Sequence, residues 1–346
     1  MTKEVCVRNT KARVFVLQVH ITDRCNLQCV HCYQNDQPSR EMTFDQIIDV
    51  VNQFHALCCA RGYIAQINFT GGEPFIRSDF FSILEVISSH YPSIRFGILT
   101  NGTLLTSETV GRLAKLRPLF IQISIDGSES THDFIRGTGS HARAIRGLGY
   151  LHLHGITSVV SFTAHPQNYR DFPQVVDASR RVGATCVWTD RLVPTGRAEH
   201  LQVMTPDQTR EFFNIVHNEQ FRRTQNEGNA TKVEMKRSLQ FLVAGGRPYR
   251  CPAGIRLLAV MPDGVVYPCR RLPIPIDNIL ATPLPIIRRN ARQFLRNINP
   301  CPSCQHAATC SGGSRCLAYA TSGSLTAPDP GCWLYCEQGD RQIVQL

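Results

Sequence analysis

At 346 residues, with 42% hydrophobic and 18% charged side chains, the chain has the make-up of a folded globular protein and not of a disordered one. No apolar run reaches the roughly 18 residues that cross a bilayer, so no membrane partner is expected. The formal charge of +10 leaves acidic partners open.

Lys3, Arg8, Lys11 and Arg13 precede the apolar run "VFVLQVHIT" (14–22), a pattern that superficially resembles a secretory signal. It offers no small-residue cleavage site and leads straight into three cysteines, so it reads as a first strand. Further strands are expected at 63–70, 94–100, 119–126, 156–164 and 184–190. Between them, 43–60, 78–90, 106–116, 140–154 and 169–181 carry apolar residues at helical spacing, with Thr43, Ser78 and Thr106 as expected caps. Six β/α units in a row predict an α/β fold whose parallel sheet curls into an open or partial barrel. Such folds bind ligands at the carboxyl ends of their strands.

The alternation stops near residue 195, and a helical stretch (206–226) leads into a region rich in Cys, Pro and Gly. A core over 1–230 and a small cysteine-ligated α+β domain over 235–346 are the expected division. Between Lys236 and Pro300 eleven basic residues stand against Asp263 and Asp277. This is either a solvated face or a surface for an acidic peptide, a polycarboxylate or RNA. Arg288, Arg289, Arg292 and Arg296 lie at helical spacing and are expected to share part of one face.

Fifteen cysteines in a long chain without a signal peptide point to metal ligation in a reducing cytosol, hence a cytoplasmic protein. Cys6, Cys58, Cys59 and Cys186 are scattered and read as small buried hydrophobes. In "CNLQCVHC" (25–32) Cys25, Cys29 and Cys32 number one too few for structural zinc and one too many for a disulfide. Three thiolates suit a [4Fe–4S] cluster with one iron left for a small ligand; zinc completed by His31 or His20 is the alternative. Polar, glycine-bearing turns end the next strands: "TGGEP" (70–74), "TNG" (100–102) and "SIDG" (124–127), with "HDFIRG" (132–137) following. Toward the C-terminus come Cys251, Cys269, Cys301, Cys304, Cys310, Cys316, Cys332 and Cys336, the number two further four-iron clusters require. A zinc ribbon competes there.

"CNLQCVHC" with "GGEP" and "SIDG" resembles the radical S-adenosylmethionine superfamily over about residues 14–195. The resemblance implies a partial (β/α)6 TIM-like barrel, a [4Fe–4S] cluster on Cys25, Cys29 and Cys32, and S-adenosylmethionine on the open iron. By the same resemblance His31 stands near the adenine, Gly72 and Glu73 border the methionyl amine, Ser124 and Arg136 meet the ribose and carboxylate, and Leu192 lines the adenine. The C-terminal cysteines resemble the SPASM extension of peptide-maturing radical enzymes, which holds two auxiliary clusters. By its interleaving, Cys251, Cys269 and Cys316 serve the nearer cluster. Cys301, Cys304, Cys310 and Cys332 serve the farther one, with Cys336 as a spare or substitute. Five residues separate Cys310 from Cys316 where the pattern has three.

The resemblance implies hydrogen abstraction from a ribosomally made precursor peptide, ending in side-chain modification or a crosslink. "GGSR…AYATSG…DPGC" (312–332) also resembles radical haem-pathway enzymes, which leaves a small polycarboxylate such as a tetrapyrrole as the alternative substrate. A non-catalytic iron–sulfur or zinc protein is the third reading. Sulfatase-maturing relatives place an aspartate base where Arg270 stands, and a guanidinium cannot take up that proton, so no catalytic base is assigned. An electron donor such as flavodoxin or ferredoxin is expected, and nucleic acid is not. Since the first strand starts by residue 14, a separate leader-binding protein or the basic segment is expected to recognise a precursor.

Overall fold

The protein is described from a computed structural model covering residues 13–34, 40–222, 231–235, 237–249, 251–294, 298 and 300–335. Lys3, Cys6, Arg8, Lys11, Lys236, Arg296 and Cys336, singled out above, lie outside the described residues. Through the first two-thirds of the chain the order is β1 (Val14–His20), α1 (Phe44–Arg61), β2 (Ile64–Thr70), α2 (Phe80–His90), β3 (Arg95–Thr100), α3 (Ser107–Leu116) and β4 (Phe120–Ser124). Then come α4 (Glu129–Arg136), α5 (Ser140–Leu153), β5 (Ser158–Ala164), α6 (Phe172–Arg181), β6 (Cys186–Arg191), α7 (Pro206–Phe221) and β7 (Lys232–Glu234). Strands β1 to β7 are all parallel and lie in chain order, which is the expected partial barrel with one further short strand.

The C-terminal segment adds α8 (Phe241–Ala244), β8 (Leu257–Val260), β9 (Val265–Tyr267), β10 (Asp277–Asn278), α9 (Leu284–Phe294), α10 (Ala307–Cys310) and α11 (Arg315–Ser322). Strand β8 runs parallel to β1 on its open side, and β9 and β10 continue antiparallel, so ten strands form one sheet across the division expected near 235.

Strand alternation decides which side chains see the helices and which see the barrel interior. In β1, Phe15, Leu17 and Val19 are fully buried against the helical layer, which leaves Gln18 facing inward. The parallel register sets Gln18 beside Asn68 and Leu99 beside Gln122, so an amide-rich wall lines the interior near the strands' carboxyl ends. Trp188 of β6 donates its indole N–H to Gln122 Oε1 at 3.0 Å and closes that wall.

Thr43 caps α1 through a full capping box with Gln46, and Thr106 caps α3, both as expected. Ser78 does not cap α2. Asp79 holds that position, and its carboxylate is taken by the Arg77 Nε donor at 2.6 Å instead of by the helix amides.

The four-arginine face is also corrected. Arg288 of α9 is buried, donates to Tyr63 Oη at 2.7 Å and lies over the Phe15 and Tyr63 rings. Tyr63 and Phe15 mark the amino ends of β2 and β1, so α9 sits at the end of the barrel opposite the cysteine loop. Of the described arginines on that helix, Arg289 and Arg292 are exposed. The i, i+4 spacing shows that residues share a face and is silent on whether that face meets water or core.

Candidate functional site

The three-cysteine loop leaves the sheet directly after β1 and is tied to three other strand-end segments and to the last turn of α4. Gly72 N donates to Thr22 O at 2.8 Å and Glu73 N to Arg24 O at 2.9 Å. Val30 N donates to Ile135 O at 3.0 Å, Ala198 N to Cys32 O at 3.2 Å, and Asn101 Nδ2 to Asn26 Oδ1 at 2.9 Å. The close seam explains one glycine: a Cβ on Gly72 would come within 2.1 Å of Arg24 O. The loop is therefore rigid on every side except the one facing the barrel mouth.

On it Cys25 is exposed, Cys29 buried and Cys32 half-buried. Although Cys25 is exposed as a whole, partial desolvation of its sulfur pushes the thiol up to about 11, and Glu73, Cys29 and Cys32 push in the same direction, so the three sulfurs share one neighbourhood. Asn101 Nδ2 lies 3.9 Å from Cys25 Sγ and Arg136 Nη1 3.8 Å from Cys29 Sγ, two donors ready for sulfur. Among the described residues no three His, Cys, Asp or Glu side chains are drawn together around a single ion. A four-iron cluster spreads its thiolates, one to each of three irons, and this loop of three neighbouring thiols with an unobstructed side fits that group.

Glu73 is fully buried beside the loop and accepts from Thr100 Oγ1 at 2.7 Å and from Asn101 N at 2.8 Å. Burial outweighs these bonds and raises its carboxyl from 4.5 to about 7. An acid whose folded value is raised stabilises the fold fully below its unfolded value and loses that contribution as pH rises through the folded value. In metal-free protein, Glu73 is expected to remove about 3 kcal/mol between pH ~4.5 and ~7. Glu73→Gln is expected to flatten urea-unfolding stability across that window; an unchanged slope would show that the carboxylate is compensated.

Across the mouth, Asp126 organises a second set. Its carboxylate meets His31 Nε2 at 2.8 Å, accepts from Arg136 Nε at 2.5 Å and from Thr163 N at 2.8 Å, and is fully buried. Burial alone would raise the Asp126 carboxyl, but Arg136 and His31 hold it well below the usual carboxylate range. Ser124 ends β4, and Leu192, buried, follows β6 with its N–H on Ala164 O at 2.8 Å. The sequence-chosen residues thus surround one mouth: Gly72 and Glu73 on one side, His31, Ser124, Arg136 and Leu192 on the other. Asp126, inside the quoted "SIDG", was not singled out. Nor was His165, whose ring is 6.3 Å from that of His31. His31 Nδ1 and His165 Nε2 are both buried without a hydrogen-bond partner, which suits a polar ligand in reach of either ring.

The C-terminal cysteines fall into two groups. Cys251, Cys269 and Cys316, with Cys310 nearby, line a cavity of about 630 Å³ whose other walls include Gln18, Asn68 and Gln122. Burial raises the Cys251 thiol, and Cys269 and Cys316 raise it further, which marks these three as neighbours. Cys301 is influenced likewise by Cys332 and Cys304, and Cys310 by Cys301, giving a second group. Cys310 also lines the cavity beside the first group, and Cys336 lies outside the described residues.

Residues 19–178 match the family described as the radical SAM superfamily. The mycofactocin maturase MftC of Mycolicibacterium smegmatis is 28% identical over 90% of this chain and 81% of that protein. The AdoMet-dependent heme synthase of Methanosarcina barkeri is 27% identical over 90% of this chain and 94% of its own length. In fold, the chain superposes on SuiB of Streptococcus suis, solved with S-adenosylmethionine and with the precursor peptide SuiA. The TM-score is 0.73 at 17% identity, covering 93% of this chain and 78% and 76% of those chains.

Proposed function

We propose that this chain, which carries a radical SAM superfamily domain over residues 19–178, is an oxidoreductase that modifies or crosslinks side chains of a precursor peptide. A domain of this family takes a [4Fe–4S] cluster and S-adenosylmethionine as its cofactors. The observation that carries the reading is the cavity. It joins the barrel interior, where Gln18, Asn68 and Gln122 stand, to the wall bearing Cys251, Cys269 and Cys316. A side chain entering it would lie between the mouth and the cysteine-rich segment.

In this reading Cys25, Cys29 and Cys32 hold the cluster. Bound together, cluster and S-adenosylmethionine supply one-electron cleavage chemistry that ends in hydrogen abstraction from substrate. Glu73 and the Gly72 backbone receive the methionyl ammonium. Arg136, fixed by Asp126, meets the carboxylate, and Ser124 the ribose. His31, His165 and Leu192 take the adenine. The inward amides orient the substrate, while Leu99 and Trp188 exclude water. Cys251, Cys269 and Cys316 would hold a nearer auxiliary cluster; Cys301, Cys304, Cys310 and Cys332, with Cys336, a farther one.

Five arginines line the same cavity, and that favours a second reading, in which a carboxylate-bearing tetrapyrrole is the substrate. The two separate in one assay. Anaerobically reconstituted protein, with dithionite and S-adenosylmethionine, is given a precursor-like peptide encoded beside its gene, or iron coproporphyrin III. A mass change in the peptide matching the 5′-deoxyadenosine formed is expected. Conversion of the porphyrin with the peptide left intact would overturn the peptide reading.

A further inference from the structure

We propose that Arg270 is a carboxylate anchor in this cavity, so that the molecule acted on enters with a free carboxylate. The inference rests on the cavity being the substrate site, as read above, and holds for either substrate class.

The cavity arginines are not equivalent. Arg191 gives both terminal nitrogens to Asp329, at 2.8 and 2.6 Å. Arg237 donates its Nε to Asp190 Oδ2 at 2.7 Å, and Arg271 contacts the same oxygen. Arg315 spends its Nη1 on the carbonyls of Leu325 and Ala327, at 2.6 and 2.7 Å. These four hold the protein together. Arg270 differs: among the described residues no carboxylate pairs with it. Its guanidinium instead lies 5.6 Å from the Tyr33 ring centroid.

The surroundings leave room for an acceptor supplied from outside. Tyr33 lies near both Arg270 and His20, whose ring is 5.9 Å from that of Tyr33, and His20 is fully buried with neither ring nitrogen partnered. Gln18, two residues before His20 on β1, lines the cavity and has its Oε1 buried without a donor, so it calls for a donor group on the same molecule and not for the carboxylate itself. A guanidinium near an aromatic face is attracted by the ring, and its planar fork matches a carboxylate with two parallel hydrogen bonds. The rest of the lining mixes apolar side chains, Leu99, Trp188, Leu257 and Leu272 among them, with the amides of Gln18, Asn68 and Gln122. That combination selects a partly apolar molecule carrying an acid group, which can be a propionate or a peptide carboxyl.

The test measures binding to iron-reconstituted full-length protein. One pair of probes is coproporphyrin III and its tetramethyl ester, followed by absorbance. The other is dansyl-tetraglycine with a free or an amidated C-terminus, followed by anisotropy. At least one free acid is expected to bind roughly 10- to 100-fold tighter than its neutral partner. Arg270→Gln is expected to erase that preference and Arg270→Lys to restore part of it, since an ammonium keeps the charge but not the fork. Arg289→Gln, on the exposed side of α9, is expected to leave it in place. Binding of the porphyrin acid alone, dependent on Arg270, keeps the anchor and removes the peptide reading. Binding of the peptide acid alone keeps both. The proposal is overturned if neither acid outbinds its neutral partner, or if the preference survives in Arg270→Gln. Should Arg270→Gln fail to retain iron, the acid–neutral comparison in unmodified protein and the Lys variant decide.

Discussion

The Cys25→Ala, Cys29→Ala, Cys32→Ala variant is expected to form no 5′-deoxyadenosine from S-adenosylmethionine and dithionite, while the unmodified reconstituted protein forms it steadily. The same variant is expected to keep about eight irons per chain against about twelve in the unmodified protein, four having been lost with the first cluster. The loop's rigidity makes the comparison clean. Its anchors are backbone hydrogen bonds from Gly72, Glu73, Val30 and Ala198, together with the Asn101 amide, and none passes through a thiol. Removing three sulfurs therefore deletes ligands without releasing the loop. Continued 5′-deoxyadenosine formation would sink the cluster assignment. Stoichiometric zinc with iron near four in the unmodified protein would instead make the C-terminal cysteines a zinc fold, leaving the first site untouched.

The barrel was legible because each strand buries one side against helices, so β1 writes Phe15, Leu17 and Val19 at alternate positions. The three thiols were legible because a ligand set within eight residues is local. What escaped the sequence depends on partners distant along the chain. Arg288 looks like any surface arginine until Tyr63, 225 residues away, accepts from it. Asp126 is one more polar turn residue until His31 and Arg136 converge on it. The distinction between Arg270 and Arg271 is invisible in the dipeptide, since it depends on which of them reaches Asp190. Charge counts find basic segments, and only geometry says which charges are already spent.

Asp329→Ala is expected to destabilise the protein by about 3–5 kcal/mol, because it strands a buried guanidinium. Arg191 ends β6, Asp329 lies just ahead of Cys332, and their two hydrogen bonds span 138 residues of chain. Neither side chain is open to water: Arg191 is 6% exposed and Asp329 2%. The Asp329 carboxylate also accepts from Ser314 N at 2.7 Å and Gly331 N at 2.9 Å, so it orders the turn before Cys316 and the one before Cys332 at once. Its loss leaves those amides unpartnered as well as the arginine. Arg191→Met combined with Asp329→Leu is expected to recover part of the loss, since the stranded charge is gone but the two amides still lack an acceptor. Trp333 packs on Phe213 with centroids 6.4 Å apart, and the Arg191 guanidinium lies 5.7 Å from the same Phe213 ring, so tryptophan fluorescence during urea unfolding follows this junction. If the single variant unfolds within about 1 kcal/mol of the unmodified protein, the pair is no more than a solvated contact. A loss near the expected size would make this ion pair the clasp holding both C-terminal cysteine groups against the barrel mouth.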